Sequence, residues 1–251
     1  MDVGVTIGES FDRVDRIGDG FEFVELGIGE DAAPTDTEPG AVIERLAAVE
    51  CGLCVHLPFS QVLVTPVREL NEAIVEYLAR LLKWCGAVQA EKAVIHATAR
   101  DPHRRDLRPL FAEQLRAVAE RAEAYGIELV VENVGHQRRG LPLSVVVDLA
   151  EEADVPMCFD VGHAYMEDGQ DAIDRIVRRH AGAISHLHVH DARSRGDTHL
   201  PLGAGEIDWT PLTDHLQGFA GTVAIEVFTD DRILLDDTKR RIDEILRPDV
   251  D

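Results

Sequence analysis

Short apolar, β-branched runs recur along the whole chain and alternate with stretches whose apolar residues repeat at close to 3.6. The runs VGVTI (3–7), FEFVEL (21–26), LCVHL (53–57), AVIHA (93–97), IELVVE (127–132), VPMCFD (155–160), ISHLHVH (184–190) and TVAIEVF (222–228) are predicted strands. Between them, PVRELNEAIVEYLARLLKWCG, LFAEQLRAVAERAEAYG and LSVVVDLAEEA read as helices, with Gly86 and Gly126 as the stops of the first two. The strands are nearly all apolar, the pattern of parallel strands covered on both faces. Eight strands, each followed by a helix, in 251 residues is the count of a (β/α)8 TIM barrel, an α/β fold with an eight-stranded parallel sheet. A doubly wound open sheet is the alternative, but no GxGxxG follows the first strand, which removes the usual dinucleotide fingerprint. No linker or low-complexity tract interrupts the alternation, so residues 1–251 are expected to form a single domain.

Composition narrows the setting. Hydrophobic residues make up 45 %, enough for a core of that size. The apolar runs are too short to span a bilayer, and MDVGVTIGES lacks the basic region of a signal peptide, so a cytoplasmic protein without a membrane partner is expected. Asp and Glu number 47 against 25 Lys plus Arg, a net charge of −22, and only Lys83, Lys92 and Lys239 are lysines. An acid-rich, lysine-poor chain reads as halophilic, since high salt screens its self-repulsion. The same charge argues against a nucleic-acid partner, which calls for a basic footprint. Four cysteines are too few for a disulfide framework, and the lone CxxC of Cys51 and Cys54 reads as small buried hydrophobes.

In such a barrel, chemistry gathers at the C-terminal ends of the strands. There the predicted strands place His56 (third), His96 (fourth), Glu132 (fifth) and Asp160 (sixth), with His163 three residues on. The seventh carries His186, His188 and His190, the eighth Glu226, and the loop after the seventh Asp197 and His199. Any one of these is an ordinary rim histidine or helix cap. Six consecutive strands converging on one mouth point to a site. Carboxylates crowded there need a cation to neutralise them, and mixed carboxylate and imidazole donors suit Zn, Mn, Co or Fe. Alternate strand residues share a face, so the three histidines of SHLHVHDAR all face the barrel interior, at different depths.

The stretches VHLPFS, VIHATA, VVENVG, CFDVGHAY, SHLHVHDA, DTHLPLGAGEIDW and VAIEVF stand in one order from residue 55 to 228. In these the chain resembles the xylose isomerase-like superfamily, which holds sugar and sugar-phosphate isomerases and epimerases and the abasic-site nuclease endonuclease IV (AP endonuclease family 2). The resemblance implies one divalent metal (Mn2+, Zn2+, Co2+ or Mg2+) on Glu132, Asp160, His188 and Glu226. It implies that Glu132 and Glu226 move protons at carbon and that His163 contacts substrate. The nuclease pattern implies up to three zincs, with further ligands at His56, His96, His163, Asp197 and His199. His186 then lies one layer down as a buried, hydrogen-bonded histidine, while His190 and Asp191 lie at the rim, facing ligands or substrate. Family epimerases often carry an arginine where this chain has Ser194, flanked by Arg193 and Arg195.

Moving a proton beside a sugar carbonyl creates an enediolate, whose charge a metal stabilises and whose protons two carboxylates can exchange. The first reading is therefore a metal-dependent sugar or sugar-phosphate isomerase or epimerase, with superfamily dehydratases as near variants. The second is a three-zinc abasic-site endonuclease, and the third a metal-dependent binding module without turnover. Arg100, Arg104, Arg105, Arg108, Arg138, Arg139, Arg193 and Arg195 fall in predicted loops after strands, where they could read a phosphate, or simply pair with surface acids.

Overall fold

Strand-forming runs that are apolar on both faces must be covered on both faces, and closure into a barrel ringed by helices does this. The computed structural model describes residues 1–30, 38–135, 139–194 and 196–247. The strands are β1 (Asp2–Gly8), β2 (Phe23–Gly27), β3 (Gly52–His56), β4 (Lys92–His96), β5 (Glu128–Glu132), β6 (Met157–Asp160) and β7 (Ile184–Val189), then β8 (Asp191–Arg193), β9 (Gly196–Leu200) and β10 (Thr222–Ile225). β1 to β7 and β10 form one closed, all-parallel barrel, in which β10 lies between β7 and β1. That closure excludes the open doubly wound sheet. β8 and β9 form a separate antiparallel hairpin.

The helices are α1 (Val14–Ile17), α2 (Pro39–Ala48), α3 (Arg68–Ala87), α4 (Arg108–Glu123), α5 (Leu143–Ala153), α6 (Val161–Asp168), α7 (Gln170–His180), α8 (Thr210–Leu216) and α9 (Arg232–Leu246). None among the described residues is long and apolar enough to cross a membrane. Gly126 stops a helix as expected, with φ +75 just beyond α4. Gly86 does not: it lies inside α3, and Gln89 takes the left-handed turn with φ 61. A Cβ at Gly86 would sit 2.8 Å from Tyr125 Cβ, so this glycine serves a close approach of α3 to the turn after α4.

Two strands stop earlier than their apolar runs. β10 ends at Ile225 and β7 at Val189, so Glu226 and His190 open the loops that follow. One ladder bond persists, from Glu226 N–H to Val189 O at 3.1 Å, and it holds Glu226 in line with its strand. All four cysteines are free; Cys54, Cys85 and Cys158 are buried, and the half-buried Cys51 thiol donates to Gly18 O at 3.0 Å.

The core fills the barrel wall and the helix–sheet layer. Phe111 of α4 is 2 % exposed and among the largest fully buried side chains. Phe111→Ala is expected to destabilise the protein by about 3–5 kcal/mol, through lost transfer energy and the cavity left behind. Denaturant unfolding measures it as a fall in midpoint at unchanged slope.

Candidate active site

Register brings the polar strand ends together. His96 pairs with Glu132 across β4 and β5, and Asp160 with His188 across β6 and β7. Glu132 and Glu226 belong to strands three places apart round the barrel, with β6 and β7 between, so they are not diametrically opposed. Asp160 also caps α6: its Oδ1 accepts from His163 N–H at 2.6 Å, which sets His163 above the strand end. Asn133 clamps Asp160 in turn, donating to its carbonyl and accepting from its N–H, both at 2.9 Å.

The donors fall into three groups that share members. Glu132 Oε2 lies 3.0 Å from His56 Nε2 and 3.3 Å from His96 Nε2. His188 Nδ1 faces Glu132 Oε2 at 3.6 Å, Glu226 Oε2 at 3.6 Å and Asp160 Oδ2 at 3.8 Å. His163 reaches Glu132, Asp160 and Asp197 at 3.2, 3.2 and 3.5 Å. His199, at a left-handed φ of 41, lies 2.8 Å from Asp197 and stacks on His190 at 4.1 Å.

These separations fit a divalent cation. His188 Nδ1 and Glu226 Oε2 are buried and make no hydrogen bond, which is costly for polar atoms unless another partner exists. Two ligands of a tetrahedral ion with bonds of ~2.1 Å stand about 3.4 Å apart, close to the spacing between His188 Nδ1 and its three carboxylates. Asp160, His188 and Glu226 form one candidate set, His56, His96 and Glu132 a second, and His163, His190, Asp197 and His199 a third. Carboxylate and imidazole donors suit zinc and its first-row neighbours.

The charges divide accordingly. Burial alone would raise the Glu132 carboxyl, but His96, His188 and a hydrogen bond from His163 outweigh it and hold it well below the carboxylate range. Glu226 goes the other way: burial raises it, with Asp160 and Glu132 adding repulsion. Burial lowers His96 to about 4. It also opposes charge on His163 and His188, yet the carboxylates around them keep both well above the usual imidazole value. A metal must displace protons held by raised imidazoles. Affinity is therefore expected to rise with pH through the neutral range, with proton release visible by calorimetry in buffers of different ionisation enthalpy.

A cavity of about 240 Å³ opens over this cluster, lined by His56, His96, His163, His199 and Glu226, with Glu9 and the exposed Phe59 and Phe228 at its walls. Glu132 is 1 % exposed, behind the histidines that line it. Three expected site residues are placed differently from the sequence expectation, although His190 stays within the third donor set. His190 and Asp191 are buried, 0 % and 1 % exposed, rather than at the rim. Asp191 accepts from Ala192, Gly203 and Ile207 N–H groups at 2.9, 2.8 and 3.2 Å, bracing the loop after the hairpin. Arg193 is exposed and donates to Ala204 O at 2.8 Å, outside the cavity lining. Arg195 and Arg138 lie outside the described residues. Of the other arginines, Arg100 lines a separate groove beside α3, and Arg104 pairs with Asp106.

Sequence patterns did not single out Glu25, the polar residue buried in β2 and 1 % exposed. Its Oε2 lies 3.1 Å from His186 Nε2, and its Oε1 lies 3.1 Å from His188 Nε2. Burial pushes its carboxyl up, but His188 and His186 outweigh that and hold it well below the usual range. His186 is fully buried, with Nδ1 2.6 Å from Thr222 Oγ1.

The model of the xylose isomerase-like TIM barrel family (AP endonuclease 2) matches residues 11–247. The chain belongs to this family. Among solved structures, D-psicose 3-epimerase from Clostridium cellulolyticum H10, solved with D-tagatose, superposes with a TM-score of 0.76 at 19 % identity, covering 99 % of this chain and 100 % of that one. The TTHB071 protein of Thermus thermophilus, from crystals soaked in ZnCl2, gives a TM-score of 0.74 at 25 % identity over 97 % and 99 % of the two chains. The uncharacterized protein MJ1311 of Methanocaldococcus jannaschii is 24 % identical over 70 % of this chain, which spans 64 % of that protein's length.

Proposed function

We propose that this xylose isomerase-like barrel is a divalent-metal-dependent sugar isomerase or epimerase acting on an unphosphorylated ketose. The observation that carries the reading is the cavity. At about 240 Å³ it lies at the small end for ligand sites and suits a monosaccharide-sized guest. Its described lining holds Glu9 and Glu226 but no lysine or arginine, so it lacks the guanidinium or ammonium group that commonly binds a phosphate. The fold likeness to a D-psicose 3-epimerase agrees with this class.

Glu132, Asp160, His188 and Glu226 would hold the ion. When bound, the ion supplies Lewis acidity to the sugar's carbonyl and hydroxyl oxygens. The chain supplies the proton traffic. Glu132, held ionised, takes the proton from the carbon beside the carbonyl, leaving an enediolate. Glu226, at the cavity wall, carries the returning proton: to the opposite face for epimerisation, or to the neighbouring carbon for isomerisation. His163 and His199 line the wall over which the hydroxyls pass. Phe59 and Phe228 offer apolar faces to the C–H side of the sugar. Cytoplasmic residence in a high-salt cell is part of the same reading, from the acid excess.

A second reading has its own support. All three donor groups are complete, and Glu132 faces two of them, the set an abasic-site endonuclease with three zincs needs. Incubating the metal-loaded protein in parallel with unphosphorylated ketoses, their phosphates and an abasic duplex decides between them. The expected result is an epimeric or isomeric ketose and an intact duplex. Incision without sugar conversion would promote the nuclease.

A further inference from the structure

Glu25 is a buried carboxylate with no place in the proton traffic above. It comes from β2 and reaches through the barrel interior to two histidines of β7, three strands away and both 0 % exposed. The chain of contacts has one consistent reading of its protons. Thr222 O–H donates to His186 Nδ1 at 2.6 Å. That leaves His186 Nε2 to carry a hydrogen, which it donates to Glu25 Oε2 at 3.1 Å. His188 Nε2–H donates to the same carboxylate, 3.3 Å from Oε2 and 3.1 Å from Oε1. A carboxylate only accepts, so it fixes a hydrogen on each Nε2 that faces it. His188 Nδ1 is thereby the nitrogen aimed at Glu132, Asp160 and Glu226 at 3.6–3.8 Å, and it offers its lone pair to a metal that displaces its proton.

We infer that Glu25 is the positioning residue of the metal centre: it orients the His188 ring and dictates that His188 ligates through Nδ1, with His186 and Thr222 holding Glu25 in place. Imidazole ligands owe orientation and tautomer to the group on their other nitrogen. Here that group comes from a strand three places away round the barrel, which ties β2 to a site built from β5, β6, β7 and the end of β10. Glutamine at this position keeps the shape but offers one accepting oxygen and one donating NH2. With the NH2 in place of Oε1, His188 Nε2–H faces a donor at 3.1 Å, and His188 is free to turn its hydrogen toward the carboxylates.

The inference rests on the metal-site reading but not on the substrate, so the test uses zinc alone. Zinc affinity is measured by competition with a chromophoric chelator for the full chain and for Glu25→Gln and Glu25→Asp, together with the circular dichroism of each metal-free protein. Glu25→Gln is expected to bind zinc about 10–100-fold more weakly with an unchanged spectrum, and Glu25→Asp to recover part of the loss. In the zinc-loaded wild-type chain, nitrogen-15 NMR is expected to show His188 with zinc on Nδ1 and hydrogen on Nε2. Glu25→Gln binding within twofold of wild type overturns the inference, as does zinc on His188 Nε2. The NMR result stands even where the variants do not fold. Zinc binding that depends on Glu25 in a protein without sugar activity would sink the substrate reading alone.

Discussion

Glu226→Gln is expected to lower sugar conversion by about 10²–10⁴-fold, the range for loss of a general acid–base group, while the barrel stays folded. The substitution is isosteric, and Glu226 sits after β10, held there by its backbone bond to Val189, so the wall should not move. What disappears is a carboxyl in the cavity lining, raised by burial into a group able to hold and release a proton. Steady-state kinetics with the active ketose measures the effect. Because the loss is in the chemical step, kcat should fall much further than KM rises. A rise in KM with kcat unchanged would mean that Glu226 only binds. Glu132→Gln is expected to lose at least as much, since Glu132 also faces His56, His96 and His188.

Stripping the metal is expected to abolish turnover and to lower the thermal midpoint. Within the barrel, His163 lies 3.2 Å from Glu132 and Asp160, and His188 lies 3.6–3.8 Å from Glu132, Asp160 and Glu226. Without an ion, that cluster is held only by protons on its histidines. An ion that binds the folded state alone at a hundred times its Kd adds about 2.7 kcal/mol of stability. Differential scanning calorimetry before and after chelation, then with zinc, manganese or cobalt restored, reads both the loss and the recovery. An unshifted midpoint would mean that the donor groups hold no ion.

The fold was legible because each parallel strand is apolar on both faces and ends in a loop signal. The limits of that legibility have physical causes. Glu226 and His190 continue the apolar rhythm of their strands, but the ladder beyond Val189 and Ile225 is down to a single bond, so the strands end sooner than the pattern does. Gly86 resembles a helix stop in sequence, yet it is there for Tyr125. At the site, the histidines and carboxylates at strand ends were visible because metal-type residues are out of place in an apolar run. Glu25 was not. FEFVEL holds two glutamates, and nothing in the run tells the half-exposed Glu22 from the buried Glu25. Asp191, beside three histidines, looks like a ligand, but its oxygens are taken by three backbone N–H groups from a loop up to 16 residues further on. Gly162 in FDVGH is likewise explained only in three dimensions: a Cβ there would strike the His190 ring at 2.0 Å.

The central claim, metal-dependent proton exchange on an unphosphorylated ketose, is tested most directly by solvent exchange. The metal-loaded protein is incubated with unphosphorylated ketoses in D2O, and deuterium at the carbon beside the carbonyl is followed by NMR. The account predicts incorporation by the wild-type chain, none after chelation, and a loss of about 10²–10⁴-fold in Glu132→Gln and Glu226→Gln. No incorporation into any ketose by a protein shown to carry its metal, or incorporation that survives chelation, would contradict it.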